Sequence, residues 1–74
     1  MKKKVIVFGG SGFLGSHVAD ELSNQGYEVT IFDIQRSKWL REDQKFLKGN
    51  ILDTKSLEKA IKNSSLVFNF ASIS

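Results

Sequence analysis

Four glycines fall within seven residues, GGSGFLG at positions 9–15, directly after the apolar run Val5-Ile6-Val7-Phe8. No other stretch restricts the fold as much. The apolar run has the length of a strand, and its lack of polar alternation suits a strand covered on both faces. Beyond the glycines, Leu14, Val18 and Leu22 recur every four residues, with Gly15 and Ala19 beside them. That spacing predicts a helix over Phe13–Gln25 with one narrow apolar stripe, ended by Gly26 in a left-handed cap. The chain must therefore pass from a buried strand into a helix within a few residues, which glycine permits and bulkier residues obstruct.

The remaining sequence repeats the alternation. Glu28–Phe32 (EVTIF) is a second β-rich stretch, closing on Asp33. Residues 34–44 are polar apart from Ile34, Trp39 and Leu40, and read as a loop with at most one helical turn. Lys45–Lys48 is a short third strand, stopped by Gly49-Asn50. Asp53 or Thr54 can cap a helix running to about Asn63, with Leu57, Ala60 and Ile61 on its inner face. Ser64-Ser65 break it, and Leu66–Phe70 (LVFNF) is a fourth strand. Strands alternating with helices imply a parallel sheet, right-handed crossovers and helices on both faces. The fold class is α/β, a Rossmann-like sheet of expected order 3-2-1-4. Strand 4 would then form an edge, although LVFNF has the composition of a buried strand. Exposed apolar edges invite pairing. The pattern is that of a sheet truncated after its fourth strand, or of one that self-associates through that edge.

At 74 residues the chain is one small domain, a fragment of such a sheet over 1–74 on this reading, and its 41% hydrophobic content is enough for a core. The net charge of +3 owes much to Lys2-Lys3-Lys4. Residues 5–33 carry four acids and no Lys or Arg, whereas residues 34–62 carry eight bases and four acids. These bases do not interleave with aromatics as a strand-binding platform requires, so no nucleic-acid partner is expected. Without cysteine there is no disulfide or thiolate site, and one histidine, His17, excludes a histidine metal cluster. The apolar run after the N-terminal lysines is too short for a signal peptide, and no stretch could span a membrane. A reducing cytoplasm is the expected compartment.

A strand that turns tightly into a helix leaves unpaired N–H groups and the positive end of the helix dipole at the turn, an anion site suited to a pyrophosphate. Two spacings overlap in the loop. Gly10, Gly12 and Gly15 form G-x-G-x-x-G; Gly9, Gly12 and Gly15 form G-x-x-G-x-x-G. Asp33 closes the next strand 18 residues after Gly15, the place for a carboxylate that grips ribose hydroxyls. A nucleotide-hydrolase loop needs lysine where Ser16 stands, and that reading is discarded.

VIVFGGSGFLGSH resembles the opening of the extended short-chain dehydrogenase/reductases, the NAD-dependent epimerases and dehydratases that often act on nucleotide sugars. The resemblance implies the wider spacing, Gly9, Gly12 and Gly15, with the backbone of Ser11, Phe13 and Leu14 along the pyrophosphate. It further implies that Asp33 holds the adenosine ribose, with Ile34 beside it. "GNILD" at 49–53 is similar to the family's G-D-[IV]-x-D, making Asn50 and Ile51 adenine contacts; Asn50 replaces the usual acid, but its side-chain carbonyl can accept the same bond. "VFNFAS" at 67–72 is similar to the strand-4 signature V-[FI]-H-x-A-[AG], with Asn69 for histidine. Phe70, Ala71 and Ser72 would lead the cofactor towards nicotinamide. The acid at Asp33 favours NAD over NADP. Arg36 and Lys38 are the cations that would meet a 2′-phosphate, although solvated loop residues are the ordinary reading of both.

Other residues carry plainer readings. His17 lies off the apolar stripe and suits the surface; Trp39 shields apolar surface beside Leu40, with stacking on adenine the alternative; Asp20 and Glu21 splay around their helix; Asp53 is a helix cap. The family's catalytic Tyr-x-x-x-Lys is implied to follow a fifth strand. Here the only tyrosine, Tyr27, has Ile31 at the lysine position. The expected function is thus the NAD-binding half of an epimerase, dehydratase or reductase, with a nucleotide sugar or similar substrate only in a longer parent. The alternative is a non-catalytic, redox-sensing NAD(P) module.

Overall fold

The computed structural model describes residues 2–71. Its elements are β1 (Lys4–Phe8), α1 (Phe13–Asn24), β2 (Glu28–Asp33), β3 (Gln44–Lys48), α2 (Thr54–Lys62) and β4 (Leu66–Asn69). The strands form one sheet of order β3-β2-β1-β4, parallel throughout, as the alternation predicts. β1 is central: Val5 pairs with Val29 on one side and Leu66 on the other. Its side chains split the core into two layers. Val5 and Val7 join Ala19, Val29 and Ile31 beneath α1, while Ile6 and Phe8 join Phe32 and Ala60 beneath α2. Period-two alternation in a strand buried on both faces produces this division.

The two helices sit differently from their apolar stripes. In α1 the buried line is Gly15, Ser16 and Ala19, with Leu22 packed beside it. Leu14, expected in the stripe, is 64% exposed. The small residues explain the rotation. A Cβ on Gly15 would lie 2.9 Å from the Gly10 Cα and would collide with the Gly9 carbonyl oxygen, so the helix presses its backbone onto the loop at that point. Close approach along Gly15 and Ala19 turns Leu14 outward. In α2, Ala60 is buried and Leu57 packs on the core, but Ile61 stays exposed.

α1 ends as its glycine predicts. Gly26 has φ +92°, and the N–H groups of Gly26 and Tyr27 donate to the carbonyls of Ser23 and Leu22, the paired bonds of a Schellman cap. The loop to β3 contains turns and no helix. It is clamped to α1 by Gln44, 7% exposed, whose amide donates to Asp20 Oδ1 at 2.9 Å and Ser23 Oγ at 3.1 Å while its carbonyl accepts the Arg41 N–H at 3.1 Å. Asp20 thus faces the loop, whereas Glu21 Oε1 accepts from Gln25 on another side of the helix. β4 is the edge that was expected, with Leu66 39% and Val67 45% exposed.

Asp53 caps α2. Its carboxylate accepts the N–H groups of Lys55 and Ser56 and the Ser56 hydroxyl, the last at 2.9 Å. The Ser56 bonds hold this carboxyl below the ordinary aspartate value. A depressed folded-state value means that the stabilisation is present above the ordinary aspartate pKa and is lost as pH falls through the lower, folded one. The helical circular dichroism of α2 is therefore expected to hold through mildly acidic pH and to decline only below the ordinary aspartate range. Asp53→Asn keeps a capping oxygen and should flatten that acid-side decline in a parallel titration.

Candidate functional site

The carboxyl ends of the parallel strands converge on one side of the sheet, and a cleft of about 440 Å³ opens there. It lies at the ends of β1 and β4, where the strand order reverses: the chain after β1 runs through α1 to β2 on one side, and the chain after β3 crosses back through α2 to β4 on the other. Doubly wound sheets take ligands at this position. The glycine loop forms one wall. Gly9, at the end of β1, has φ +74°, the left-handed region, and a Cβ on it would stand 2.6 Å from the Ala71 nitrogen and 2.7 Å from the Phe70 carbonyl carbon. Gly9 therefore makes the first turn, in agreement with the wider spacing. Gly10 is small for another reason: its Cβ would meet the Ile31 side chain at 2.9 Å.

Gly12 is the N-cap of α1 and offers no side-chain cap. The first-turn N–H groups of Phe13, Leu14 and Gly15 thus have no intrahelical acceptor, and no acid sits in that turn to neutralise the dipole. Ser16, by contrast, turns inward, its hydroxyl donating to the Phe13 carbonyl at 2.8 Å.

Asp33 stands opposite at the end of β2. Its Oδ2 accepts the Ser11 N–H at 3.1 Å and its Oδ1 the Gln35 N–H at 3.3 Å. The Ser11 hydroxyl donates to the Gln35 carbonyl at 2.5 Å, tying the glycine loop to the segment after β2.

The third wall is the turn after β3. A Cβ on Gly49 would lie 2.5 Å from the Phe32 ring, so only glycine lets the chain cross that ring. Asn50 then closes the turn: its side-chain oxygen accepts the Leu52 N–H at 2.9 Å and its backbone oxygen the Asp53 N–H at 2.9 Å. The Asn50 carbonyl is thus partly engaged, with one lone pair left for an outside donor. The β4 side continues from Phe70, whose N–H donates to the Phe8 carbonyl at 2.7 Å.

The cleft gathers Gly9, Gly12, Asp33 and Ile34 from the first half of the motif set, and Asn50, Ile51, Phe70 and Ala71 from the second. Phe32, Gly49 and Leu52 also line it and were not singled out as site residues. Gly49 and Leu52 both lie within the quoted GNILD stretch, so taking the whole motif rather than Asn50 and Ile51 alone would have found them; Phe32 carried no signal beyond its place in a strand. Ser11, Phe13, Leu14, Gly15 and Arg36 are not among the residues that line the cleft. Ser72 lies outside the described residues. Phe13 points out to solvent, its ring 4.5 Å from His17 and 6.3 Å from Trp39. Trp39 is covered by Lys38, 4.9 Å over its ring, and does not line the cleft. Among the described residues no group of acids and histidine could hold a metal ion, and no helix is long and apolar enough to cross a membrane.

Residues 5–74 match the NAD dependent epimerase/dehydratase family. The chain belongs to that family. Among its relatives, the UDP-N-acetyl-alpha-D-glucosaminuronate decarboxylase of Bacillus cytotoxicus is 39% identical over 99% of this chain and 25% of its own length. The sterol-4-alpha-carboxylate 3-dehydrogenase, decarboxylating, of Mus musculus is 41% identical over 95% of this chain and 19% of its own length. In structure, a UDP-glucose 4-epimerase from Brucella ovis in complex with NAD superposes with a TM-score of 0.85 at 32% identity, over 97% of this chain and 23% of that one. This epimerase/dehydratase family member spans a quarter or less of the length of these proteins. The part it spans holds the glycine loop, Asp33 and the turn after β3.

Proposed function

We propose that residues 1–74 are the dinucleotide-binding part of an NAD-dependent epimerase, dehydratase or reductase acting on a nucleotide sugar or a similar small substrate. The observation that carries the reading is the space at Gly12. Its φ of −77° and ψ of 172° are extended backbone open to any residue, and a Cβ there would meet only the Gly9 carbonyl oxygen, at 3.6 Å. Neither turn nor packing requires glycine, and a serine or aspartate would cap the helix better. A group from outside the chain that must approach this backbone closely accounts for it, and a pyrophosphate over the unpaired N–H groups of Phe13 and Leu14 is such a group.

The other walls take the rest of the molecule. Asp33 would accept the adenosine ribose hydroxyls, Asn50 and Ile51 would hold adenine, and Phe70, Ala71 and Ser72 would lead on from the pyrophosphate. When bound, the nicotinamide supplies hydride transfer. The residues of this chain bind and orient; they move no proton. Tyr27 precedes β2, at the opposite end of that strand from Asp33 and the cleft, and no lysine follows it at the fourth position. Asp33 also favours NAD over NADP, because its carboxylate repels a 2′-phosphate.

Titration with NADH, read by the change in its fluorescence, tests the proposal. The wild-type protein is expected to bind, and Asp33→Ala to weaken binding by about tenfold or more, the worth of hydrogen bonds to a charged group. Absence of NADH binding by a folded wild-type protein would overturn the reading.

A further inference from the structure

We infer that Ser11 is a positioning residue whose hydroxyl, by holding the Gln35 carbonyl, keeps the Asp33 carboxylate set against a 2′-phosphate. The inference rests on the cofactor reading above and extends it to a residue outside the cleft lining. Three hydrogen bonds close a ring between the glycine loop and the segment after β2: Ser11 N–H to Asp33 Oδ2 at 3.1 Å, Gln35 N–H to Asp33 Oδ1 at 3.3 Å, and Ser11 Oγ to the Gln35 carbonyl at 2.5 Å. Each carboxylate oxygen thereby accepts one backbone N–H. The carboxylate plane is set, and each oxygen keeps lone-pair capacity for a donor in the cleft. Two acceptors fixed side by side match two vicinal hydroxyls and oppose a dianion.

The ring depends on the Ser11 hydroxyl at its least supported point. Ile34, Gln35 and Arg36 are all exposed, so packing does little to hold this segment. Without the hydroxyl, the Gln35 carbonyl turns to solvent, its N–H leaves Oδ1, and the carboxylate gains freedom to rotate. Arg36, one residue further on, is then free to approach a 2′-phosphate. The backbone N–H of Ser11 survives in Ser11→Ala, so its bond to Asp33 remains and the change is confined to the hydroxyl. Gln35 is exposed and water replaces the lost partner, so folding is affected little.

NADH and NADPH are titrated into the wild type, Ser11→Ala, Asp33→Ala and the double variant. The ratio of NADH to NADPH affinity is expected to fall about fivefold in Ser11→Ala, the factor carried by one net hydrogen bond. Asp33→Ala removes the preference, and adding Ser11→Ala to it changes the ratio no further, because the hydroxyl acts through the carboxylate. A Ser11→Ala protein that weakens both cofactors equally, leaving the ratio unchanged, overturns the inference and leaves the cofactor reading standing. A fivefold fall repeated in the Asp33→Ala background also overturns it. A wild type that binds neither dinucleotide overturns the cofactor reading itself, and the inference with it.

Discussion

Gly9→Ala is expected to lower the melting temperature by about 10 °C or more, the shift that a loss of roughly 2–3 kcal/mol produces in a domain of this size. Two costs combine. At φ +74° an L side chain is strained, by about 1–2 kcal/mol for the left-handed conformation. The new Cβ would also stand 2.6 Å from the Ala71 nitrogen and 2.7 Å from the Phe70 carbonyl carbon, both backbone atoms that cannot swing aside as a side chain would. Relief requires the end of β4 to move away from β1, opening the sheet at its edge. Gly26→Ala separates the two costs. Its φ is +92°, but a Cβ there has nothing within 4 Å, so it carries the strain without the collision. Thermal melts of both variants, followed by circular dichroism, should place Gly9→Ala well below Gly26→Ala. Equal melting temperatures would mean that the contact with β4 contributes nothing.

Gly12→Val is expected to do the reverse: to keep the fold and abolish dinucleotide binding. The backbone at Gly12 is extended, which suits a β-branched residue, and its Cβ direction is open apart from the Gly9 carbonyl oxygen at 3.6 Å. The melting temperature should stay within about 5 °C of the wild type, since exposed substitutions of this kind change stability by about 1 kcal/mol or less. The added methyl groups occupy the space over the helix start where the pyrophosphate is proposed to lie, and NADH titration should show no saturation. A Gly12→Val protein that binds NADH like the wild type would reduce the loop to a structural turn. Glycines three residues apart in one motif thus have opposite expected effects, one on stability and the other on ligand.

Much of this architecture was legible in the residues. The runs VIVF, EVTIF and LVFNF mark strands because β-branched and aromatic side chains pack well on a pleated surface. The alternation with helical spacing then leaves few topologies open, and the order β3-β2-β1-β4 is among the few. Asp53 was readable as a cap, and Gly26 as a C-terminal stop, because both act on their own neighbours in the chain. The motif residues from Gly9 to Ala71 were also readable, and the cleft brings eight of them together.

Other features depend on partners distant in the chain. The periodicity of α1 pointed Leu14 inward, but the rotation of a helix about its axis is set by where its backbone comes nearest the sheet. Gly15, pressed against Gly9 and Gly10, decides that point, and Leu14 is carried out to solvent. Gln44 fell in the stretch read as a polar loop, yet it is buried because Asp20 and Ser23, more than twenty residues earlier, supply partners for its amide. The bond from Ser11 to Gln35 joins residues 24 apart that no local pattern relates. Element type and order follow from short-range propensity and hydrophobic period, which neighbouring residues contain in full. Helix rotation, buried polar pairing and the ring around Asp33 exist only once the backbone has folded back on itself, because each depends on the distance between segments that the linear chain leaves free.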